Sequence, residues 1–99
     1  MTQAFVLTLA AIRDADAFAR YREAVAEVNA AIGGETIMRG RTLAVLEGQG
    51  AASDPTTETA IVIAFPDADA ARAYIESDRY RALAPLRALA GEFTIRIIG

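Results

Sequence analysis

The sequence contains no cysteine, histidine or tryptophan, and its ten basic residues are all arginine, so lysine is absent too. The lack of cysteine, histidine and lysine excludes disulfide bonds, thiol and imidazole catalysis, and Schiff bases on lysine. It also removes most of the side chains that ligate zinc or haem iron in proteins. We therefore expect a protein that works without a metal, haem or other cofactor.

The sequence also lacks a large excess of charge of one sign, and it lacks long apolar runs. A net charge of -3 over 99 residues leaves no basic stripe of the kind that binds nucleic acid. No run approaches the roughly 20 apolar residues of a membrane-spanning helix. Met1–Phe5 carries no basic residue ahead of its apolar side chains, so we expect no signal peptide. These features predict one domain over residues 1–99, cytoplasmic, with no nucleic-acid or membrane partner.

The first third of the chain predicts a strand followed by a helix. In the segment Ala4–Leu9, Phe5, Leu7 and Leu9 alternate with Val6 and Thr8, which is typical of a strand. Asp14 can cap a helix over 15–32, and Gly33-Gly34 can end it, because glycine adopts the left-handed conformation without strain. One apolar stripe at spacings of three and four follows this helix: Phe18, Tyr21, Val25, Val28 and Ile32.

The middle of the chain predicts two further strands. Thr36–Met38 and Thr42–Leu46 are strand-like pieces, and Gly40 between them indicates a bulge or a bend. Residues 48–56 have the composition of a loop. Thr57–Phe65 is almost continuously apolar, which is typical of a central strand covered on both faces.

The last third predicts helices and a closing strand. Asp67 can cap a helix over 68–76, and Ser77 can cap a further helical piece. Pro85 must kink or divide that piece, because proline lacks the backbone donor and crowds the preceding turn. Phe93–Ile98 alternates again and predicts the last strand.

This order, β-α-β-β-α-β, predicts an α+β ferredoxin-like sandwich, with both helical regions on one face of an antiparallel sheet. We expect these side chains under the helices: Phe5, Leu7, Leu9, Ile61, Ile63, Phe65, Phe93, Ile95 and Ile97. We expect these on the opposite, open face: Val6, Thr8, Ala60, Val62, Ala64, Thr94 and Ile98. Because the open face is also largely apolar, we predict that a second copy of the chain covers it in a two-fold homodimer.

The order and spacing of several features resemble the bacterial family called domain of unknown function 1330, in the dimeric α+β-barrel superfamily. The features are Tyr21, Gly33-Gly34, Arg39-Gly40, Glu47-Gly48, Phe65-Pro66, Ala70-Ala71 with Tyr74, Ser77, Tyr80, Leu86-Arg87 and Gly99. The resemblance implies a homodimer whose two sheets form a barrel with the helices outside, and no established reaction. The superfamily includes cofactor-free monooxygenases, muconolactone-type isomerases and haem enzymes. The absence of histidine and tryptophan means that the roles these residues have in haem binders and some oxygenases do not carry over.

The three tyrosines, Tyr21, Tyr74 and Tyr80, fall on helical positions that face the sheet. They could line a pocket and donate hydrogen bonds to a small polar ligand. They could instead be core residues whose hydroxyls reach water or a backbone partner. Tyr21 is the strongest candidate, because it matches the family pattern and places a hydroxyl in an otherwise apolar stripe.

Charged candidates lie near strand and helix ends. Arg39 and Arg41 flank Gly40 and could hold a carboxylate, or they could be a solvated pair. Glu47 could act as a general base if burial raises its pKa, or it could form a salt bridge or be exposed. Arg87 could bind a ligand or complement a helix dipole. We predict that a ligand would lie near Tyr21, with Arg39 and Glu47 at its polar end.

Two hypotheses about function remain open on the sequence alone. In the first, the protein is an enzyme of the cofactor-independent monooxygenase or isomerase type, acting on a small anionic or enolic molecule. In the second, it is a non-catalytic dimeric module that binds a ligand or has a structural role. A concave pocket containing Tyr21 and convergent polar groups would favour the first hypothesis, and a filled core there would favour the second.

Overall fold

A computed structural model describes residues 3–48 and 57–99 of the chain, so most of the predicted 48–56 loop lies outside the described residues. The elements are β1 (Ala4–Ile12), α1 (Ala15–Ala31), β2 (Glu35–Arg41), β3 (Glu58–Phe65), α2 (Ala68–Glu76), α3 (Asp78–Arg81), α4 (Ala84–Ala90) and β4 (Gly91–Ile98). The strands form one antiparallel sheet in the order β2-β3-β1-β4. The predicted ferredoxin-like arrangement is confirmed. None of the described helices is long and apolar enough to cross a bilayer.

Helix α1 begins and ends where the sequence predicts, to within one residue. The Asp14 carboxylate accepts a hydrogen bond from the backbone N–H of Ala17 at 3.0 Å, which satisfies a donor of the first turn. After the helix, Gly33 takes a left-handed φ of 88°, a conformation that other residues adopt at a cost. The predicted stripe faces the sheet, with Phe18, Tyr21, Val25 and Val28 buried and Ile32 partly buried.

The second helical region also follows its local signals. Asp67 caps α2 by accepting from the N–H of Ala70 at 2.8 Å, and Ser77 caps α3 by accepting from the N–H of Tyr80 at 3.1 Å. Pro85 lies in the first turn of α4, where its missing N–H leaves no intrahelical bond unmade. The predicted division of this region at Pro85 is therefore confirmed.

The predicted interruption of β2 at Gly40 is wrong. The strand continues through Gly40, which pairs with Ala60. The irregularity lies earlier, where the register shifts between Thr36 and Met38. A glycine at a sheet position does not by itself require a bend, and this one keeps extended backbone conformation as part of the strand.

The predicted strand piece Thr42–Leu46 is also wrong, because these residues form no strand. The last bond of this ladder runs from the Thr42 N–H to the carbonyl oxygen of Glu58, at 2.9 Å. Since Glu58 is the first residue of β3, no partner backbone from that strand remains for the residues that follow. Apolar composition is typical of a strand here, but a strand also needs a neighbour with which to exchange hydrogen bonds.

Strand β1 presents the opposite faces from those predicted. Val6 pairs with Ile63 of β3 and Ile97 of β4, and it belongs to the core under the helices. The β1 side chains on the helix side are Ala4, Val6, Thr8 and Ala10, and those on the open side are Phe5, Leu7 and Leu9. The alternation predicts two faces, but apolar residues occupy both of them, so the pattern does not say which one the helices cover.

The assignments for β3 and β4 are correct. Ile61, Ile63 and Phe65 are buried in the core, and Phe93 and Ile95 pack against it. With β1 corrected, the open face has a different composition from the expected one. Its larger apolar members are Phe5, Leu7, Leu9, Met38, Val62 and Ile98, which the strand registers place side by side.

Candidate functional site

The structure brings the three tyrosines together. Tyr21 extends from α1, Tyr74 from α2 and Tyr80 from α3, and all three are buried. The hydroxyl oxygens of Tyr21 and Tyr80 lie 3.0 Å apart, a hydrogen bond in which either can donate. The ring centroids of Tyr74 and Tyr80 are 4.9 Å apart. Residues far apart in sequence thus form a single phenolic cluster.

Local structure explains how these rings are placed. The Ser77 hydroxyl accepts from the N–H of Tyr80 and donates to the carbonyl oxygen of Tyr74, at 3.1 and 2.8 Å. This single side chain therefore fixes the turn between two tyrosine-bearing helices. Tyr21 is held by the edge-to-face contact of its ring with Phe93 of β4, whose centroid is 5.0 Å away.

Burial controls the ionisation of this cluster. Removal from water raises the pKa of both Tyr21 and Tyr74 far above that of a free tyrosine, and the neighbouring Tyr80 raises the pKa of each further. The positive charge of Arg87 opposes this rise only in part. Both phenols therefore remain neutral at physiological pH and keep their protons for hydrogen bonding. A buried hydroxyl left without a partner would cost roughly 1–3 kcal/mol.

Arg87 of α4 completes the cluster. Its guanidinium carbon lies 5.1 Å from the centroid of the Tyr80 ring, within the range of a cation–π contact. One of its nitrogens, Nη1, is buried and has no hydrogen-bond partner among the described residues. A buried guanidinium N–H without an acceptor is a place at which an anion gains a charge-assisted hydrogen bond.

Tyr80 and Arg87 open onto a cavity of about 560 Å³, which we call the tyrosine–arginine pocket. Its lining consists of Arg72, Ile75, Tyr80, Arg81, Ala84, Arg87, Ile95 and Ile97. Three arginines and a phenol thus supply donors and positive charge, while three isoleucines supply an apolar wall. No carboxylate is among these lining residues. The volume falls within the roughly 300–1,000 Å³ typical of small-molecule sites.

A second, smaller cavity of about 350 Å³ lies between α1 and β2; we call it the β2 groove. It is lined by Ile12, Ala15, Phe18, Ala19, Arg22, Arg39, Gly40, Arg41 and Thr59. Arg39 and Arg41 therefore lie in this groove and not beside Tyr80. Tyr21 lines neither cavity, because it is 2 % exposed behind Tyr80 and Phe93. The predicted meeting of Tyr21 and Arg39 in one site is not found.

Glu47 lies in neither cavity. It is exposed and follows β2 outside any regular element, so it lacks the burial that its predicted action as a base requires. The buried carboxylate of the described chain is Glu58, 5 % exposed, whose Oε1 accepts a hydrogen bond from the Thr42 hydroxyl. Within residues 3–48 and 57–99, no three acidic side chains gather as a metal site.

Sequence reasoning missed two residues of the tyrosine–arginine pocket, Arg72 and Arg81. The sequence position of each arginine could have indicated its place in the pocket. Arg72 precedes Ile75 by three positions on α2, and residues at that spacing are neighbours on a helix. Arg81 directly follows Tyr80 in α3. Of the predicted site residues, Tyr21, Tyr74, Tyr80 and Arg87 come together, whereas Arg39 and Glu47 lie apart from them.

A four-stranded antiparallel sheet with helices on one face defines an α+β protein of the ferredoxin-like class. Within that class, residues 3–99 match the family described as domain of unknown function (DUF1330), and the chain belongs to this family. The resemblance carried by the sequence features is thus confirmed. No curated protein matches the sequence.

Solved structures share this fold. A protein of unknown function from Rhodopseudomonas palustris is 18% identical, with a TM-score of 0.71 over 97% of this chain and 80% of that one. A dimeric ferredoxin-like protein of unknown function from Thermobifida fusca is 19% identical, with a TM-score of 0.60 over 98% and 90%. A cofactor-independent oxygenase from Streptomyces nogalater is 11% identical, with a TM-score of 0.60 over 100% and 93%. At these identities the likeness concerns the fold.

Proposed function

We propose that the protein binds a small organic anion in the tyrosine–arginine pocket. The observation that carries this proposal is the buried, unpartnered Nη1 of Arg87 beside the Tyr80 ring. A carboxylate in the pocket would supply the missing acceptor once the Arg87 side chain turns toward it, and would meet the charge of Arg72 and Arg81. The hydrocarbon part of such a ligand would lie against the isoleucine wall.

Charge distribution supports an anionic ligand. The chain as a whole is acidic, with a net charge of -3, yet the lining of this pocket holds three arginines and no carboxylate. Like charges gathered without counter-charges repel one another, and an anion relieves that repulsion. The positive field of the pocket would also raise the local concentration of anions.

Calorimetric titration with benzoate and with hexanoate tests the proposal. Arg87→Gln should weaken binding by about 10- to 100-fold, because a hydrogen bond to a charged group is worth roughly 1.5–3 kcal/mol. Arg79→Gln is the matched control, since Arg79 is an exposed arginine of α3 that does not line the pocket. Failure of every small carboxylate to bind the wild-type protein at millimolar concentration, or equal losses in the two variants, would overturn the proposal.

We further propose that the protein is a homodimer formed through the open sheet face. Leu7 lies at the centre of this face, next to Val62 in the neighbouring strand, and Phe5 and Leu9 flank it along β1. A single chain leaves these side chains to water, which is unfavourable for a contiguous apolar surface. The description of the Thermobifida fusca protein as dimeric supports self-association. A stable interface buries about 1,600 Å² in total, which a sheet face can supply.

Sedimentation velocity of Leu7→Asp tests the dimer. The variant should sediment as a folded monomer, because the interface would bury an unpaired carboxylate. Leu89→Asp is the control: Leu89 is an exposed apolar residue of α4, on the other side of the sheet, and its variant should remain dimeric. A wild-type protein that is monomeric at micromolar concentration would contradict the proposal.

Catalysis of the cofactor-independent monooxygenase or isomerase type is the second candidate. The Tyr80 hydroxyl and the Arg87 guanidinium would stabilise the oxygen of an enolate, as oxyanion-binding groups do. The pocket lining offers no carboxylate to remove a proton, and Glu47 lies outside it. We therefore favour binding over conversion. Oxygen consumption with an enolisable acid, abolished by Arg87→Gln and not by Arg79→Gln, would instead support an oxygenase.

A further inference from the structure

We infer that Tyr21 donates its hydroxyl proton to Tyr80, so that the Tyr80 proton is directed into the tyrosine–arginine pocket and selects a small monocarboxylic acid as ligand. This inference rests on the proposed anion site and specifies which chemical groups that site accepts. It assigns Tyr21 a positioning role, although Tyr21 does not touch the pocket.

The direction of the hydrogen bond follows from counting protons and acceptors. Each phenol carries one proton, and the 3.0 Å contact between their oxygens uses only one of the two. Among the described residues, the Tyr21 hydroxyl has no second hydrogen-bond partner, and the side chain is buried between Phe18 and Phe93. If Tyr80 donated, the Tyr21 proton would have no acceptor among the described residues.

If Tyr21 donates instead, neither hydroxyl proton is left in a position without access to an acceptor. When Tyr21 donates, its own proton is satisfied by the Tyr80 oxygen, and the Tyr80 proton is free to turn toward the pocket that Tyr80 lines. Burial keeps Tyr21 protonated well beyond neutral pH, so this donor persists. Accepting a bond from Tyr21 also makes the Tyr80 hydroxyl a better donor, because hydrogen bonds in a chain polarise one another.

Two side chains of the pocket lining then each carry a donor without an acceptor. One is the Tyr80 hydroxyl, and the other is the buried Nη1 of Arg87, whose guanidinium lies over the Tyr80 ring. A carboxylate carries two oxygens and can accept from both groups. A single carboxylate on an apolar body fits best, because Ile75, Ile95 and Ile97 occupy the rest of the lining.

The experiment compares two variants that each lose one hydroxyl, with benzoate as the probe. Tyr80→Phe removes the donor that faces the ligand, so affinity should fall about 10- to 100-fold. Tyr21→Phe leaves the Tyr80 proton free to bind the ligand, so affinity should fall by less than about 3-fold, through lost polarisation. Were the bond reversed, Tyr21→Phe would release the Tyr80 proton from its partner, and affinity would rise. A rise, or equal losses in both variants, overturns the inference.

Detection of the hydroxyl protons by NMR keeps the test decisive if Tyr80→Phe fails to fold. In the wild-type protein, benzoate should shift the Tyr80 hydroxyl proton strongly and the Tyr21 proton little. A larger shift at Tyr21 would refute the proposed direction. Absence of benzoate binding to the wild-type protein contradicts the anion site itself, whereas Arg87-dependent binding with the wrong tyrosine response contradicts only the proton direction.

Discussion

The two faces of β1 differ in the size of their side chains, and the larger side chains lie on the face away from the helices. The helix side carries Ala4, Val6, Thr8 and Ala10, whereas the open side carries the larger Phe5, Leu7 and Leu9. The helices themselves supply the bulk on their side, since Phe18 and Tyr21 project from α1 onto the sheet. The small β1 side chains leave space for these helix residues in a close-packed interior.

This contrast separates two kinds of stability. The helix side is completed by folding of one chain, so a change there alters the free energy of unfolding. The open side keeps large apolar side chains at the surface of one chain, so a change there should alter association first. Neighbouring residues of the same strand can therefore be used to test the two surfaces independently.

The largest expected effect comes from placing the same charge on adjacent residues of β1. Val6→Asp would bury a carboxylate in a core position that is 1 % exposed, and it should lower the free energy of unfolding by about 4 kcal/mol or more. Leu7→Asp should keep its secondary structure and change only the sedimentation behaviour. Urea denaturation followed by circular dichroism compares the free energy of unfolding of the two variants, and sedimentation velocity compares their assembly. A Val6→Asp protein as stable as the wild type would show that the faces of β1 are assigned wrongly.

The second effect concerns the point where β4 begins under α4. A Cβ added to Gly91 would stand 2.0 Å from the carbonyl oxygen of Ala11, so β1 and β4 would have to separate. Gly91→Ala should therefore destabilise the fold by about 3 kcal/mol, at the upper end of the cost of overpacking. Gly40→Ala is the control in thermal unfolding, because a Cβ there meets no atom within 4 Å. Equal melting temperatures for the two variants would contradict the close approach.

The third effect is a loss of folding stability at alkaline pH, caused by the buried tyrosines on the helix side of the sheet. Burial raises the pKa of Tyr21 and Tyr74 in the folded state above the value of about 10 in the unfolded chain. Above pH 10 the folded protein therefore binds more protons than the unfolded one. Stability should be constant below that pH and fall above it, by up to about 1.4 kcal/mol per pH unit for each tyrosine.

Urea denaturation between pH 8 and pH 11 measures this slope, and phenolate absorbance should appear together with unfolding. In Tyr21→Phe the slope should be about half as steep, because one of the two buried phenols is gone. Phenolate absorbance from Tyr21 and Tyr74 in a protein that is still folded would argue against the burial of these two side chains.

The smallest effect comes from enlarging one alanine on each face. Ala10→Val adds volume under the helices, where Ala10 is fully buried, and should cost about 1–2 kcal/mol. Ala60→Val adds the same volume on the open face opposite Gly40 and should change the free energy of unfolding by less than about 0.5 kcal/mol. Guanidinium denaturation of the two variants, side by side, provides the comparison. A costlier Ala60→Val would mean that the second copy of the chain packs closely against Ala60.

The parts of the fold that were predictable from the sequence are those governed by neighbouring residues. Asp14 and Asp67 cap the helices that follow them, and Pro85 divides the last helical region, because each acts within one turn of its own position. The faces of β1 were not predictable. They depend on which side the helices cover, and the strand is apolar on both sides. The prediction of a strand over Thr42–Leu46 was wrong for a related reason, since strand formation depends on a partner strand.

The same distinction between local and long-range features applies to the candidate site. Helical spacing placed Tyr21, Tyr74 and Tyr80 on the sheet side of their helices, and their convergence follows from that placement. The distribution of the charged residues between two cavities does not follow from local spacing. Arg39 belongs to the β2 groove because β2 is an edge strand, at the opposite edge from β4. Sheet order, a long-range property, determines which arginines share a cavity.

Helix α3 is only four residues long, yet it supplies both Tyr80 and Arg81 to the tyrosine–arginine pocket. A single turn has almost no stability of its own, because nucleating a helix costs more than one turn returns. Its order depends on the Ser77 cap and on the docking of Tyr80. We expect its amide hydrogens to exchange with solvent much faster than those in the middle of α1, through brief local opening. A ligand that bridges Tyr80 and Arg87 would slow that exchange, so this turn can report occupancy of the pocket residue by residue.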